Sequence, residues 1–349
     1  MVSARYHGLD FARAILMIVG VFYHSSLIYA DSGGDAWRVV SPFKENWFHY
    51  MSEFMHSFRM EAFYVVSGFF YFLVRGKKKD GFLQDRLLRV LVPMFLVGFT
   101  LNYVMNYYST GVFETDFDLE YYVYGRWLGH LWFIGNLAVY FVASLFLMGY
   151  LSFNLDRVKL VILFCLIVPL LATVLRGGMS VLDLNFRFLF ISFYELVYYF
   201  PYFVLGLICY KNRDAFFCLM NIKFGFISLV LYFSFYFVFD GDSAVDKFFM
   251  YFSHGFLSFS VLSFLVRIGS GASSFIRRIS DSSYTIYLLH QPIIVIFYIF
   301  IVSGYEDSGV EGFLTVSLFT LGVSFLFHEF FVARSSFLRF LFNGVLVRK

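Results

Sequence analysis

The chain reads as an all-α polytopic membrane protein of about ten transmembrane helices, with both termini on the cytoplasmic side. Three observations predict this. Of 349 residues, 60% are hydrophobic, 23% aromatic and only 15% charged, where an ordinary soluble domain is about a quarter charged. Apolar runs long enough to cross a bilayer as a helix recur from end to end. Lys and Arg are shared unevenly among the connecting segments. The 52 Phe and 26 Tyr are spread along the whole length, which makes residues 1–349 one membrane-embedded unit. A net charge of +3 gives no reason to expect a nucleic-acid partner. Cys165, Cys209 and Cys218 have neither metal-ligand spacing nor a disulfide framework, so no metal is expected. The N-terminal apolar run is too long for a cleavable signal, and no small-residue cleavage site follows it.

The spans fall at roughly 10–30, 47–74, 87–109, 129–151, 158–175, 191–210, 223–239, 246–267, 281–302 and 312–333. With the N-terminus placed inside, twenty of the 27 Lys and Arg lie on inner segments and six on outer ones, and Arg59 sits within a span. The outer loops are acidic: Asp31 and Asp35; Glu114, Asp116, Asp118 and Glu120; Asp240, Asp242 and Asp246; Glu306, Asp307 and Glu311.

The first span, FARAILMIVGVFYHSSLIYA, carries Arg13 near its start and His24 eleven residues later. At about 1.5 Å per residue the two are roughly 16 Å apart along the axis. Ionisable residues inside a span are costly and usually face a polar cavity. The second span, WFHYMSEFMHSFRMEAFYVVSGFFYFLV, is denser still, with Glu53, His56, Arg59 and Glu61. Counting from the inner face, Arg59 comes level with His24. A cation and an imidazole at one depth are the groups that oxyanion stabilisation and proton transfer require. Arg59 needs a partner there. Glu61, close by on the same helix, points elsewhere and is a poor one, which leaves Glu53 or a ligand carboxylate.

Ser67-Gly68 marks either a close approach by a slim ligand or a notch for helix packing. Arg86 and Arg89, three apart, share a face of the entering third helix. With Arg13 they form a basic cluster at the inner mouth, suited to phosphate or to lipid headgroups. His130-Leu131-Trp132-Phe133 opens the fourth span at the outer face. Pro201 is expected to kink the sixth span, and His254 stands nearly alone on the eighth. Asp281 is placed to cap the ninth, where Tyr284, Tyr287 and His290 share a face. His328-Glu329 lies near the inner end of the tenth. On residue chemistry alone an enzyme competes with a secondary transporter or an exporter without catalysis. No inverted repeat or matched pair of broken helices supports the transporter.

In this order the segments resemble the membrane-bound acyltransferase family 3. Arg13, ten residues, then His24 resembles its arginine–histidine signature, and RYHGLDFAR resembles its opening. FRMEAFYVVSGFF is similar to its second-span block, and Arg86-x-x-Arg89 before Pro93 to its third-span segment. SYTIYLLHQP resembles its late tyrosine–histidine–proline block. HSFRM at 56–60, HLWF at 130–133 and FLRFLFNG at 337–344 are similar to the branch that succinylates periplasmic glucans. The resemblance implies acyl transfer across the bacterial inner membrane. The donor would be acyl-CoA, succinyl-CoA by preference and acetyl-CoA as the alternative, held by Arg13, Arg86, Arg89, Ser67 and Gly68. His24 and Arg59 would be catalytic, with or without an acyl-histidine intermediate. His56, Glu53, His130, Trp132, Tyr284 and His290 would meet the glucan or other glycan acceptor. Membrane lipid is the other implied partner, and homo-oligomerisation stays open.

Overall fold

The structure is a computed structural model, and it describes residues 6–31, 37–77, 81–109, 119–147, 149–151, 154–184, 186–239, 241–271, 274–305 and 308–345. Arg5, Lys78, Lys79, Arg348 and Lys349, counted among the twenty inner cations, and Asp35, Glu114, Asp116, Asp118, Asp240, Glu306 and Asp307 of the outer loops lie outside the described residues.

Helices account for nearly all of it. In chain order they are α1 (His7–Ser26), α2 (Asn46–Lys77), α3 (Phe82–Phe99), α4 (Leu101–Tyr108), α5 (Leu119–Val123), α6 (Trp132–Leu147), α7 (Arg157–Ile162) and α8 (Val168–Val181), then α9 (Phe193–Lys211), α10 (Arg213–Leu219), α11 (Ile222–Val238), α12 (Ala244–Ile268), α13 (Ser274–Phe300), α14 (Val310–Phe327) and α15 (Ser336–Asn343). A two-residue hairpin, Arg187–Phe188 against Ile191–Ser192, precedes α9. In lipid every backbone polar group must be satisfied within its own segment, and helices do that.

Among the described residues, eight helical stretches are long and apolar enough to cross a membrane, and α10 with α11 makes a ninth if that pair, bent by 69°, counts as one span. The 32-residue α2 is not among them, since its charged and histidine side chains lower its hydropathy. It is nonetheless the centre of the bundle, packed against α1, α9 and α12. Its neighbours approach closely where side chains are missing. A Cβ on Gly68 would stand 2.1 Å from the Phe203 carbonyl oxygen, and one on Gly206 would stand 2.1 Å from that of Val65. This is small-residue packing of the kind membranes favour, because backbones gain contact area when nothing intervenes. Tyr64 and Tyr71 then tie α2 to α6 by donating to the carbonyls of Phe133 and Phe141, at 3.3 and 2.7 Å.

Three local features differ from expectation. The ninth span begins at Ser274, seven residues before Asp281, because SFIRRIS holds no helix breaker; Asp281 is inside α13 and not at its N-terminus. The third span is in two pieces, α3 and α4, which meet at Thr100, where φ stretches to −114° and the hydroxyl donates to the Leu96 carbonyl at 2.5 Å. The 37–45 segment folds inward, leaving Arg38 and Val39 only 4% and 2% exposed. Helix α9 continues through Pro201.

Candidate functional site

Two cavities lie along the α1–α2 seam. The larger, about 480 Å³, is lined by Arg13, Ser67, Arg86, Arg89, Tyr284 and Arg339 among others. The smaller, about 110 Å³, is lined by Tyr23, His24, His56, Arg59, His130 and Trp132 among others. They share three walls: Met17, Phe63 and Phe133. Residues on one face of α1, Arg13, Met17, Gly20 and His24, therefore run from one chamber into the next.

Around the smaller cavity the imidazoles crowd together. The His24 ring centroid lies 5.1 Å from that of His290, and His290 lies 4.8 Å from His130. Trp37 stacks on His24 at 5.7 Å. The lodging of His130 follows from sequence. Pro292 has no N–H, so the carbonyl of Leu288 four residues earlier lacks its helical donor. His130 Nε2 fills that place at 3.3 Å, and the backbone N–H and Nδ1 of His130 both meet Gln291 Oε1, at 3.2 and 2.9 Å. Gly129, at φ +52°, makes the turn that delivers this histidine; a Cβ there would stand 3.1–3.3 Å from Gln291, Arg38 and Asn102. Tyr287 closes the group by donating to the His130 carbonyl at 2.6 Å. Among the described residues no group of three or more His, Cys, Asp or Glu is placed to hold a metal ion.

Arg59 lies beside these rings, its guanidinium 4.4 Å from the Tyr23 ring centroid. It is 9% exposed, and its Nε has no hydrogen-bond partner. No carboxylate pairs with it among the described residues. Gly20 makes the room: a Cβ there would stand 2.8 Å from Arg59 Nη1. Glu61 has turned away to α9 and α12, where it accepts from Tyr198 at 2.9 Å and faces His254 Nδ1 at 3.4 Å. Glu53, expected on the acceptor side, is instead on an exposed face beside His49 at 3.5 Å, because its position on α2 is turned away from the cavity. His56 does line the cavity and stacks on Tyr23 at 5.5 Å. Trp132 lines it too, against Tyr199 at 5.9 Å.

The larger cavity gathers the basic residues. Arg13 pairs with Asp10 at 3.2 Å and lies over the Phe70 ring. Arg86 and Arg89 occupy the first turns of α3. Tyr284, expected near the acceptor, belongs here, donating to the Arg89 carbonyl at 3.0 Å; two turns of α13 separate it from His290. Ser67 lines this cavity, whereas Gly68 serves the α2–α9 contact. Arg339 of α15 joins the wall and donates to the Ala333 carbonyl. Its signal was the amphipathic FLRFLFNG, which packs on α3.

Arg38 is the most hidden cation of the 37–45 segment. It donates to Asn106, whose amide in turn donates to Tyr121 at 2.6 Å. Burial pushes its guanidinium down to about 10, so it stays charged at neutral pH. Nothing in the sequence around it distinguishes it from an ordinary loop arginine.

Comparison with known proteins agrees with this arrangement. A family model described as an acyltransferase domain matches residues 6–329. The chain is 27% identical to glucans biosynthesis protein C of Escherichia coli strains E24377A, SMS-3-5 and K12, over 99% of this chain and 96% of each relative. No solved structure matches.

Proposed function

The chain belongs to the acyltransferase-3 family, and from that premise we propose that it carries an acyl group across the bilayer. The donor is acyl-CoA on the cytoplasmic side of the bacterial inner membrane. The acceptor is a hydroxyl of a glucan or related glycan on the periplasmic side. Succinyl is the favoured group and acetyl the alternative.

The observation that carries this reading is the shared wall of the two cavities. One chamber offers arginines for the phosphates of coenzyme A, which guanidinium groups grip bidentately. The next offers an imidazole and a guanidinium at the place the thioester would reach. A pantetheine arm passing Met17, Phe63 and Phe133 joins them. A sugar hydroxyl is a poor nucleophile and needs a base, the role of His24. The tetrahedral oxyanion needs donors, and Arg59 and Tyr23 border the same space. The unpaired guanidinium of Arg59 favours a dicarboxylic acyl group, whose free carboxylate would neutralise it. The name of the relatives supports a glucan acceptor. The Lys and Arg bias supports an inner position for the Arg13 end, and counting α2 as a span gives ten in one domain.

The test uses purified protein in lipid nanodiscs, radiolabelled succinyl-CoA or acetyl-CoA, and a glucan oligosaccharide. Label should move to the sugar without any ion gradient, faster from succinyl-CoA. His24→Ala should lose about 10²–10⁴-fold in turnover while still folding. Gradient-driven uptake into vesicles with no acyl transfer would instead make the protein a carrier.

A further inference from the structure

The tautomers of the clustered histidines have a consequence for how His24 reacts. His290 Nδ1 lies 2.5 Å from the Tyr287 carbonyl oxygen. A carbonyl only accepts, so the proton of neutral His290 resides on Nδ1 and its Nε2 is a lone pair. That Nε2 is buried and has no hydrogen-bond partner among the described residues. His24 Nδ1 is in the same condition. The two rings are 5.1 Å apart, centroid to centroid, tilted by 40°. A small rotation brings two imidazoles at that separation to an N–H···N bond of roughly 3 Å.

We propose that His24 and His290 form a hydrogen-bonded dyad in which His290 fixes the His24 proton on Nδ1, so that Nε2, the other nitrogen of a ring that lines the smaller cavity, is the atom that reacts. The inference rests on the acyl-transfer reading above. His290 is a positioning residue: it is 1% exposed and acts through His24. The chain of bonds runs from the Tyr287 carbonyl to His290, then to His24, then to the cavity. A base oriented by a third group is a recurrent solution in acyl transfer, because the wrong tautomer is inactive.

His130 is not the partner, since both its ring nitrogens already meet oxygens. Arg59 is the other donor near His290 Nε2; the two crowd the point where Gly20 would carry a Cβ, at 2.8 and 4.0 Å. A bond from Arg59 would still leave His24 Nδ1 buried and unsatisfied. The His24 bond satisfies both orphans and leaves the guanidinium for the substrate. In the reaction, the sugar oxygen bonds to the thioester carbon while its proton passes to His24 Nε2. The carbon–sulfur bond then breaks, and the thiolate takes that proton.

The test combines kinetics with ¹⁵N-histidine NMR of the full chain in lipid. In the parent protein His24 should carry its proton on Nδ1. His290→Leu should lower kcat by about 10²-fold or more with little change in KM for acyl-CoA. His290→Gln, which can place an amide oxygen where Nε2 was, should restore much of the loss. A parent His24 protonated on Nε2, or a His290→Leu enzyme at full turnover, overturns the dyad. Activity in His24→Ala overturns the transfer reading beneath it. An inactive His24→Ala beside a fully active His290→Leu overturns the dyad alone.

Discussion

A guanidinium deep in a bundle needs an anion, and Arg59 has none among the described residues. If the anion is the free carboxylate of a succinyl donor, the fork of Arg is required, and Lys cannot reproduce it. Arg59→Lys should then cut succinyl transfer by about 10²-fold or more, the scale of one lost oxyanion-type donor, and acetyl transfer less. Parallel rates with the two donors measure this. Equal losses would move Arg59 to the oxyanion or to structure. Gly20 tests the same contact from the opposite side. A methyl group there would stand 2.8 Å from the end of a flexible side chain, so Arg59 moves and the helix survives. Gly20→Ala should keep or raise thermal stability, by up to about 1 kcal/mol of helix propensity, while transfer falls about tenfold or more. A scan of melting temperature beside the transfer assay separates the two effects. The pairing of Arg59 with His24 was legible because both lie on long periodic helices, where depth follows from counting residues. Gly20 was legible in principle, being one turn before His24, but a glycine in a membrane helix more often marks packing.

Rotation about a helix axis decides what counting along it cannot. Glu53 and Glu61 lie six and two residues from Arg59, yet one faces outward and the other faces α9 and α12. Only the positions of the neighbouring helices distinguish them, and those come from long-range packing. The same reason hid the link between Glu61 and His254, which read as isolated polar residues in sequence. Helix ends were clearer. Arg86 and Arg89 were expected on one face of α3, and both line the larger cavity. Their removal should weaken binding of acyl-CoA roughly tenfold for each arginine, from about 1.5 kcal/mol per charge-assisted hydrogen bond, with a smaller change in turnover at saturation. Calorimetric titration of the Arg86→Ala, Arg89→Ala double variant with coenzyme A checks this. Unchanged affinity would leave these arginines as topology signals. The break at Thr100 and the early start of α13 were not legible. Gly98 stands two residues before the first, and Gly269 and Gly271 stand just before the second, but glycines in a membrane chain as often mark packing as a helix end.

At the scale of the whole molecule, the helical, many-spanning class was legible because a bilayer imposes length and hydropathy on its helices, whereas the count was not: ten spans were expected, and eight or nine helical stretches qualify among the described residues. The junction of the two cavities was not legible, since Met17, Phe63 and Phe133 are three apolar residues among many, on three different helices. That junction yields the prediction most specific to a transmembrane transfer. If coenzyme A binds in one chamber and the hydroxyl arrives in the other, filling the passage should uncouple binding from transfer. Met17→Trp adds bulk at the shared wall without touching an arginine or a histidine. Coenzyme A affinity should change little, because the phosphate-gripping groups are untouched. Transfer should fall by about 10²-fold, since misplacement of a reacting group by about 1 Å costs on that scale. The assay is a proteoliposome with donor outside and oligosaccharide inside, its orientation fixed by labelling. An intact Met17→Trp protein with normal affinity and normal transfer would mean that the acyl group takes another route. Loss of affinity together with transfer would place the whole of the donor, phosphates included, deeper than the arginines of α3.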